Sequence, residues 1–362
     1  MLVYLIITFI LILFSSVDII KISDASKRIL LFILFLILTA FIGFRNRIGF
    51  DWQNYEEVFI SQKIGAVSPH LVEYGFLWLN QLLAALGLSF SGLILFVAAS
   101  SIGVKCLAVQ KLAPLWFIPL LYYLSYYLLE YEMSGMRQAI AMGFAMVSII
   151  YVKEKRFLPF VICILCGAFF HISLIVFLPI FFFDKLKFST QTYLILIVIS
   201  FGFLFTNISN VLLQLIQIIP LGNFITEKLI SYAGVNQVTG LTLGHVPYIA
   251  FCVLFVYYRK IVNDEFYNIL LNGYIIGLFF SFVFSGSLGV LNRLAYYYLM
   301  LGGILFSYIL ANTRYLYNKI AIFAFLAFFT VVKVVDSAFD KEALMYYVPY
   351  KTIDSFSDLI SD

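Results

Sequence analysis

Of the 362 residues, 63% are hydrophobic and only 12% are charged, with a mean hydropathy of +1.03, far from the roughly half-apolar balance of a soluble domain. A soluble globular enzyme is thereby excluded, and the chain reads as an all-α, polytopic integral membrane protein with about 10–12 transmembrane helices. The net charge of +4 is no sign of a nucleic-acid partner, because in a membrane protein basic residues chiefly record orientation.

In chain order, apolar segments near the length needed to cross ~30 Å of hydrocarbon fall at Leu2–Ile20, Ile29–Phe44, Phe90–Val109, Trp116–Tyr131, Met136–Val152, Phe157–Phe183, Tyr193–Thr206, Val246–Tyr258, Asn268–Phe284, Leu294–Ala311 and Ile320–Val335. Leu2–Ile20 lacks a basic leader and a small-residue cleavage site, so it reads as a retained span. Basic residues cluster at Lys21/Lys27/Arg28, Lys105/Lys111, Lys153/Lys155/Arg156, Arg259/Lys260 and Arg314/Lys319. The positive-inside rule assigns these to the cytoplasm. It leaves the N-terminus, the loop 45–73, the turns at Glu130–Gly135 and Ser285–Asn292, and the tail 336–362 facing outward.

Two stretches strain that parity. Glu73–Leu88 must not cross, and it reads as a half-depth or surface helix rich in Leu and Trp. Phe157–Phe183 is either one long span, with Asn207–Leu221 as an additional crossing, or a broken hairpin with His171 near its tip; periodicity leaves both open. The segment 207–245 alternates apolar and polar residues and is punctuated by glycines, as expected for an outward amphipathic lid.

Polar residues inside this greasy chain are few. Arg45, Arg47, Arg137 and Arg293 all lie on the side the orientation rule disfavours. A guanidinium fork matches carboxylate or phosphate oxygens and keeps its charge, so convergent arginines suit an anionic ligand such as a lipid diphosphate. The alternative is that each pairs with a nearby glutamate or a lipid headgroup. Glu56 and Glu57 leave that alternative open for Arg45 and Arg47. Arg137 and Arg293 open apolar helices, where a cation opposes the helix dipole, which favours function. His171 could hold or move a proton, or simply be satisfied by Ser173. Asp51 and Glu73 are the carboxylates placed to act as a base, although Asp51 could equally cap a helix beginning at Trp52. The tyrosine runs Tyr122/Tyr123/Tyr126/Tyr127 and Tyr296/Tyr297/Tyr298 read as an interface belt first and a sugar-stacking surface second. Cys106, Cys163, Cys166 and Cys252 sit in apolar spans and imply packing, not a disulfide framework. Nucleophile-elbow, P-loop, dinucleotide and zinc-protease signatures are absent.

The ordered set Arg47-x-Gly49-x-Asp51-x-x-x-Tyr55-x-x-x-Phe59, Glu73-x-Gly75-Phe76-x-x-Leu79-Asn80, Met136-Arg137-Gln138-x-x-Ala141, Phe170-His171-x-Ser173, Asn292-Arg293 with Tyr296, and Tyr347-x-Pro349-Tyr350 resembles the EpsG-like branch of Wzy-type polysaccharide polymerases. The resemblance runs over nearly the whole chain. It implies a bacterial inner-membrane enzyme that polymerises undecaprenyl-diphosphate-linked oligosaccharide repeat units into O-antigen, capsule or exopolysaccharide on the outer face. It also implies membrane lipid and the lipid-linked donor and acceptor as partners, room for a chain-length regulator protein, no nucleic acid and no cofactor; the few acidic pairs on the outer face give little support for a bound Mg²⁺, although Glu56 and Glu57 leave it open. In that chemistry Asp51, Glu73 or His171 would activate the acceptor hydroxyl. Arg45, Arg47, Tyr55, Arg137, Gln138, Arg293 and Tyr296 become the residues that bind substrate. The competing class is a transporter or flippase of lipid-linked glycans, which commonly shows internal repeats; no convincing repeat is visible here. An acyl-modifying membrane enzyme rests on His171 alone.

Orientation is testable by cysteine accessibility in intact cells. Labels placed at Gln53 and Ser287 should react from outside, and labels at Glu154 and Asn263 should be shielded. Reaction of Gln53 and Glu154 from the same side would overturn the assignment.

Overall fold

The computed structural model describes residues 2–20, 22–68, 70–206, 208, 211, 214, 244–285, 291–339 and 341–360. Its regular elements are helices: α1 (Leu2–Ser16), α2 (Asp24–Gly43), α3 (Trp52–Lys63), α4 (Tyr74–Ala85), α5 (Phe90–Leu112), α6 (Phe117–Tyr127), α7 (Met136–Lys153), α8 (Phe157–Phe170), α9 (Thr190–Phe203), α10 (His245–Val262), α11 (Glu265–Val283), α12 (Asn292–Leu299), α13 (Leu301–Asn312), α14 (Leu316–Phe339) and α15 (Lys341–Tyr347). No strand forms among the described residues beyond two isolated bridges. Seven helical stretches among them are long and apolar enough to cross a membrane: Leu2–Ile19, Asp24–Gly43, Phe90–Leu112, His245–Val262, Glu265–Val283, Asn292–Asn312 and Leu316–Asp336. Phe157–Phe170 and Thr190–Phe203 are apolar but shorter. The expected lid, 207–245, lies outside the described residues but for a few positions, as does most of the turn at 285–292.

The chain forms two compact units, Met1–Leu178 with Thr313–Asp362, and Pro179–Asn312. In the first, α5 is the central post and packs on α2, α4 and α7. Its Leu93, Ile94, Val97, Ser101 and Lys105 are buried at helical spacing, while Phe96, Val104 and Leu107 stay exposed on the other side. Asp18 closes the start of α6 from a distance, its carboxylate accepting from the main-chain N–H groups of Trp116 (3.3 Å), Phe117 (2.7 Å) and Ile118 (3.0 Å). Those N–H groups are the donors a helix start leaves without an internal acceptor.

Lys105 and Glu132 correct the sequence reading. Neither marks a loop on opposite sides of the membrane. Lys105 Nζ lies 2.8 Å from Glu132 Oε1, and each side chain is 1% exposed. Lys105 also donates to the carbonyl of Ala139 (2.9 Å), and the Tyr123 hydroxyl donates to Glu132 Oε1 at 2.8 Å. The polar groups thus satisfy one another where no water is at hand. Glu132 reaches this position through a π-helical turn at Leu128–Glu132, which interrupts the apolar segment that follows α6. The tyrosines of α6 are a second correction: Tyr122, Tyr123, Tyr126 and Tyr127 are buried and packed ring on ring, not arrayed at an interface.

The apolar stretch after Arg156 is broken, not continuous. α8 ends at Phe170, His171 is extended (φ −151°, ψ 106°), and a 3-10 helix runs over Ile172–Lys185 with Pro179 inside it.

The segment after α14 straps the loops at one end of this unit. Lys351 and Tyr346 carbonyls accept from the N–H groups of Asn46 (2.9 Å) and Gly49 (3.1 Å), Ile353 N–H donates to Phe44 (2.9 Å), and Ser89 N–H donates to Leu359 (3.0 Å). Gly49 holds φ +116°, and a Cβ there would strike the Met133 carbonyl oxygen, so the strap and the loop close only around glycine. At the other end, Lys153 Nζ meets the Lys111 carbonyl at 3.3 Å and Lys27 sits 5.7 Å from the Trp116 ring.

The second unit is organised on α11, which packs on α9, α10, α12 and α13. Its buried Asn272 accepts from the Tyr193 hydroxyl (2.7 Å) and donates to the carbonyls of Phe183 (3.1 Å) and Leu186 (3.0 Å).

Lys105→Met keeps side-chain length but leaves Glu132 buried without its cation. It should destabilise the detergent-solubilised protein by about 3–5 kcal/mol, and Lys105→Met with Glu132→Leu should recover most of that loss. Denaturant unfolding of the three proteins measures both; a Lys105→Met protein as stable as the parent would remove the pair from the account.

Candidate functional site

The site begins with two short helices. α3 and α4 have 12 residues each, about 18 Å of helix at ~1.5 Å per residue, too short to cross. For α4 this agrees with the sequence expectation of a helix lying at the surface or at half depth. α3 buries Trp52, Tyr55, Val58 and Phe59 and turns Gln53, Glu56 and Glu57 away from them. The buried face joins Phe76, Leu79 and Leu83 of α4, Phe90 and Leu93 of α5, and Met136 of α7 in one hydrophobic cluster.

That packing brings three of the sequence-derived site residues together. Arg137, in the first turn of α7, forms an ion pair through Nη1 with Glu73 Oε2. Its Nε donates to the Tyr55 hydroxyl at 3.4 Å, and the guanidinium stands 5.7 Å from the Tyr55 ring centroid. The ion-paired side chains are 18% and 12% exposed, so the pair is neither solvated nor sealed. Nη2 has no protein partner among the described residues. Glu73 stands at the N-cap of α4 but does not cap it with its side chain; the carboxylate is committed to Arg137. Burial pushes the Tyr55 phenol above its ordinary pKa, against the lowering effect of Arg137.

The other expected residues fall in different settings. Arg45 is 1% exposed. Its Nη1 donates to the Ile42 carbonyl (2.5 Å) and its Nε to that of Ile48 (3.3 Å), while Trp52 lies 5.9 Å away, ring centroid to guanidinium. Burial lowers its pKa to about 10, which leaves it charged at neutral pH. Arg47 is exposed, with φ +53°, and has no ion pair among the described residues. The alternative of ion pairs from these arginines to Glu56 and Glu57 is not formed among the described residues. Glu57 instead meets His70 Nε2 at 2.8 Å and accepts from Gln53 at 3.1 Å; the His70 hydrogen bond holds its carboxyl below the ordinary range. Asp51 does precede a helix starting at Trp52, as the sequence indicates, yet its side chain makes no capping bond.

His171 Nδ1 lies 2.5 Å from Ser173 Oγ, the structural alternative weighed for it. Two residues back, Phe169 presses on Gly75, where an added Cβ would come within 2.6 Å of the Phe169 carbonyl oxygen. The end of α8 therefore abuts the start of α4, close in sequence to Glu73. Gln138 is buried in α7. Arg293 and Tyr296 belong to the second unit, three residues apart on one face of α12 and partly exposed.

Two buried groups escaped the sequence reading altogether. Trp52 Nε1 and Asn80 Oδ1 have no hydrogen-bond partner among the described residues, and both side chains belong to or adjoin the cluster under Tyr55. The only signal was their place inside the quoted motifs. Among the described residues no group of three or more His, Cys, Asp or Glu side chains is placed to hold a metal ion.

The fold and this cluster define a polytopic helical membrane protein with a half-sealed Arg–Glu–Tyr constellation at the ends of its helices. The chain belongs to the EpsG family, which it matches over residues 28–352, a family of Wzy-like polymerases. No curated protein and no solved structure matches it. Membership supports a polymerase-type function in exopolysaccharide or O-antigen synthesis.

Glu73→Gln should leave Arg137 short of its counter-charge and cost about 1.5–3 kcal/mol, whereas Tyr55→Phe should cost about 0.5–1.5 kcal/mol. Unfolding in mixed micelles ranks the two; a larger loss for Tyr55→Phe would contradict the ion pair as the principal contact.

Proposed function

We propose that this protein extends a glycan by transferring it from a lipid diphosphate to a second lipid-linked repeat unit, on the outward face of a bacterial inner membrane. In that reaction a hydroxyl of the acceptor unit attacks the anomeric carbon of the donor glycan. The new glycosidic bond forms as the bond to the lipid diphosphate breaks, the diphosphate leaves with the electron pair, and the hydroxyl proton passes to a base.

The observation that carries this reading is the setting of Arg137. Tyr55 and Glu73 hold its guanidinium by Nε and Nη1, and Nη2 with the outer edge of the fork is left for an anionic oxygen. A cation fixed in advance, in a site of low polarity, stabilises charge as it develops on the leaving diphosphate without having to reorganise. Glu73 is ion-paired with Arg137, so we assign it to orienting the guanidinium. The base is then Asp51 or His171. Arg45, spent on main-chain carbonyls, shapes the loop that carries Asp51. Arg293 and Tyr296 keep the substrate-binding role that the family pattern implies, with Arg47 and Gln138 beside Asp51 and Arg137 in sequence.

The test is incubation of purified protein with a synthetic lipid-diphosphate repeat unit and no nucleotide sugar. Longer glycans should form, and Arg137→Lys and Arg293→Lys should each slow their formation by on the order of a hundred- to thousand-fold, as for loss of about 3–4 kcal/mol of transition-state stabilisation, at normal protein yield. Lysine keeps the charge but loses the planar fork. Full-length polymer from both lysine variants, or translocation of the lipid without elongation, would overturn the reading.

A further inference from the structure

An apolar cavity of about 310 Å³ lies within the first unit, between α4, α5, α7 and α8. It is about twice the size of an engineered apolar cavity that stays dry and takes up benzene, roughly 150 Å³. Its position relative to the polar cluster is what matters. Ile140 in its wall follows Arg137 by one turn of α7, Leu79 belongs to the helix that Glu73 begins, and Phe170 directly precedes His171. Its rim carries Phe96 and Val104 of α5, which are 45% and 36% exposed, so it opens on the apolar flank of the helices. Gly143 brings the α7 backbone close to α5: a methyl added there would touch the Val104 side chain at 3.5 Å and lie 4.0 Å from Lys105 Nζ, so a larger side chain at this position would take up the cavity wall.

We propose that this cavity holds the first isoprene units of the polyprenyl tail whose diphosphate meets Arg137. The proposal rests on the function proposed above. A bilayer is as apolar as the cavity, so burial alone does not favour one lipid chain over another. What selects the isoprenoid is the tether: a molecule whose anionic head is held at Arg137 presents its own tail to the adjacent cavity at high effective concentration. The aromatic and β-branched walls suit a chain that is itself branched and unsaturated. Phospholipids carry a single phosphodiester in place of the diphosphate, so Arg137 holds their heads less strongly and they meet the cavity chiefly as bulk solvent.

The experiment uses the full-length protein in nanodiscs and a synthetic polyprenyl diphosphate carrying a diazirine on its second isoprene unit. After irradiation, mass spectrometry should find adducts on the peptides containing Phe96–Val104 and Ile140–Val147. The matching photoreactive polyprenol, lacking the diphosphate, should label them less by on the order of a hundredfold. Gly143→Leu, which fills the space, should lose the adducts; if that variant does not fold, the mapping in the parent protein stands alone as the test. Adducts confined to other helices, or equal labelling by polyprenol or by a diazirine phosphatidylcholine, would overturn the proposal. Adducts in the cavity without elongation would keep the tail site and remove the polymerase reading. Elongation with adducts elsewhere would do the reverse.

Discussion

The contact on which the first unit most depends is the ion pair of Lys105 with Glu132. A charged group inside hydrocarbon must find its partner within the protein, since water cannot serve. Lys105 finds three acceptors at once: Glu132, Ser101 and the carbonyl of Ala139. The last lies in the first turns of α7, two residues beyond Arg137. One ammonium group therefore ties the middle of α5 to the π-helical turn and to the start of the helix that carries the arginine. The depth and direction of Arg137 follow from a contact that touches no ligand.

A second layer of constraint comes from the short helices. α3 and α4 cannot cross, so their apolar faces have to be buried against something other than lipid, and the ends of α5, α7 and α8 supply that surface. The same packing delivers Tyr55 and Glu73 to a guanidinium that would otherwise be costly to hold half-buried. Structural and chemical roles of the Arg137–Glu73 pair are thus not alternatives. The pairing that offsets the cost of the half-buried cation also fixes which edge of the guanidinium is engaged by Tyr55 and Glu73.

Class and helical architecture were legible because they depend on composition and run length, which hydropathy measures directly. The start of α3 at Trp52 and the non-crossing character of α4 were legible for the same reason, together with parity. Pairing was not. Glu73 and Arg137 are 64 positions apart and Lys105 and Glu132 are 27 apart, and nothing in either local sequence names its partner. The orientation rule does not apply to Lys105, because it counts a lysine as a loop marker when a buried carboxylate holds this one inside α5. Arg45 shows the converse error. Its neighbours Glu56 and Glu57 invited an ion pair, yet the loop geometry turned the guanidinium inward to carbonyls at Ile42 and Ile48. The tyrosines of α6 were misassigned because an aromatic run looks the same at an interface and in a core; their burial and the bond from the Tyr123 hydroxyl to Glu132 distinguish the two.

The strap formed by residues 344–360 bears on the order in which the protein is made. It pairs with main-chain groups at Phe44, Asn46, Gly49 and Ser89, all of which leave the ribosome roughly 250 residues or more before it does, a delay of tens of seconds at ~5–20 residues per second. During that interval the loop leading into α3 and the turn leading into α5 have no partner for these hydrogen bonds. Helices can insert and pair as they emerge, but the layer bearing Asp51, Tyr55 and Glu73 reaches its final form only after the strap arrives. The main-chain bonds that close the loops before α3 and α5 can therefore form only once residues 346–359 have been made.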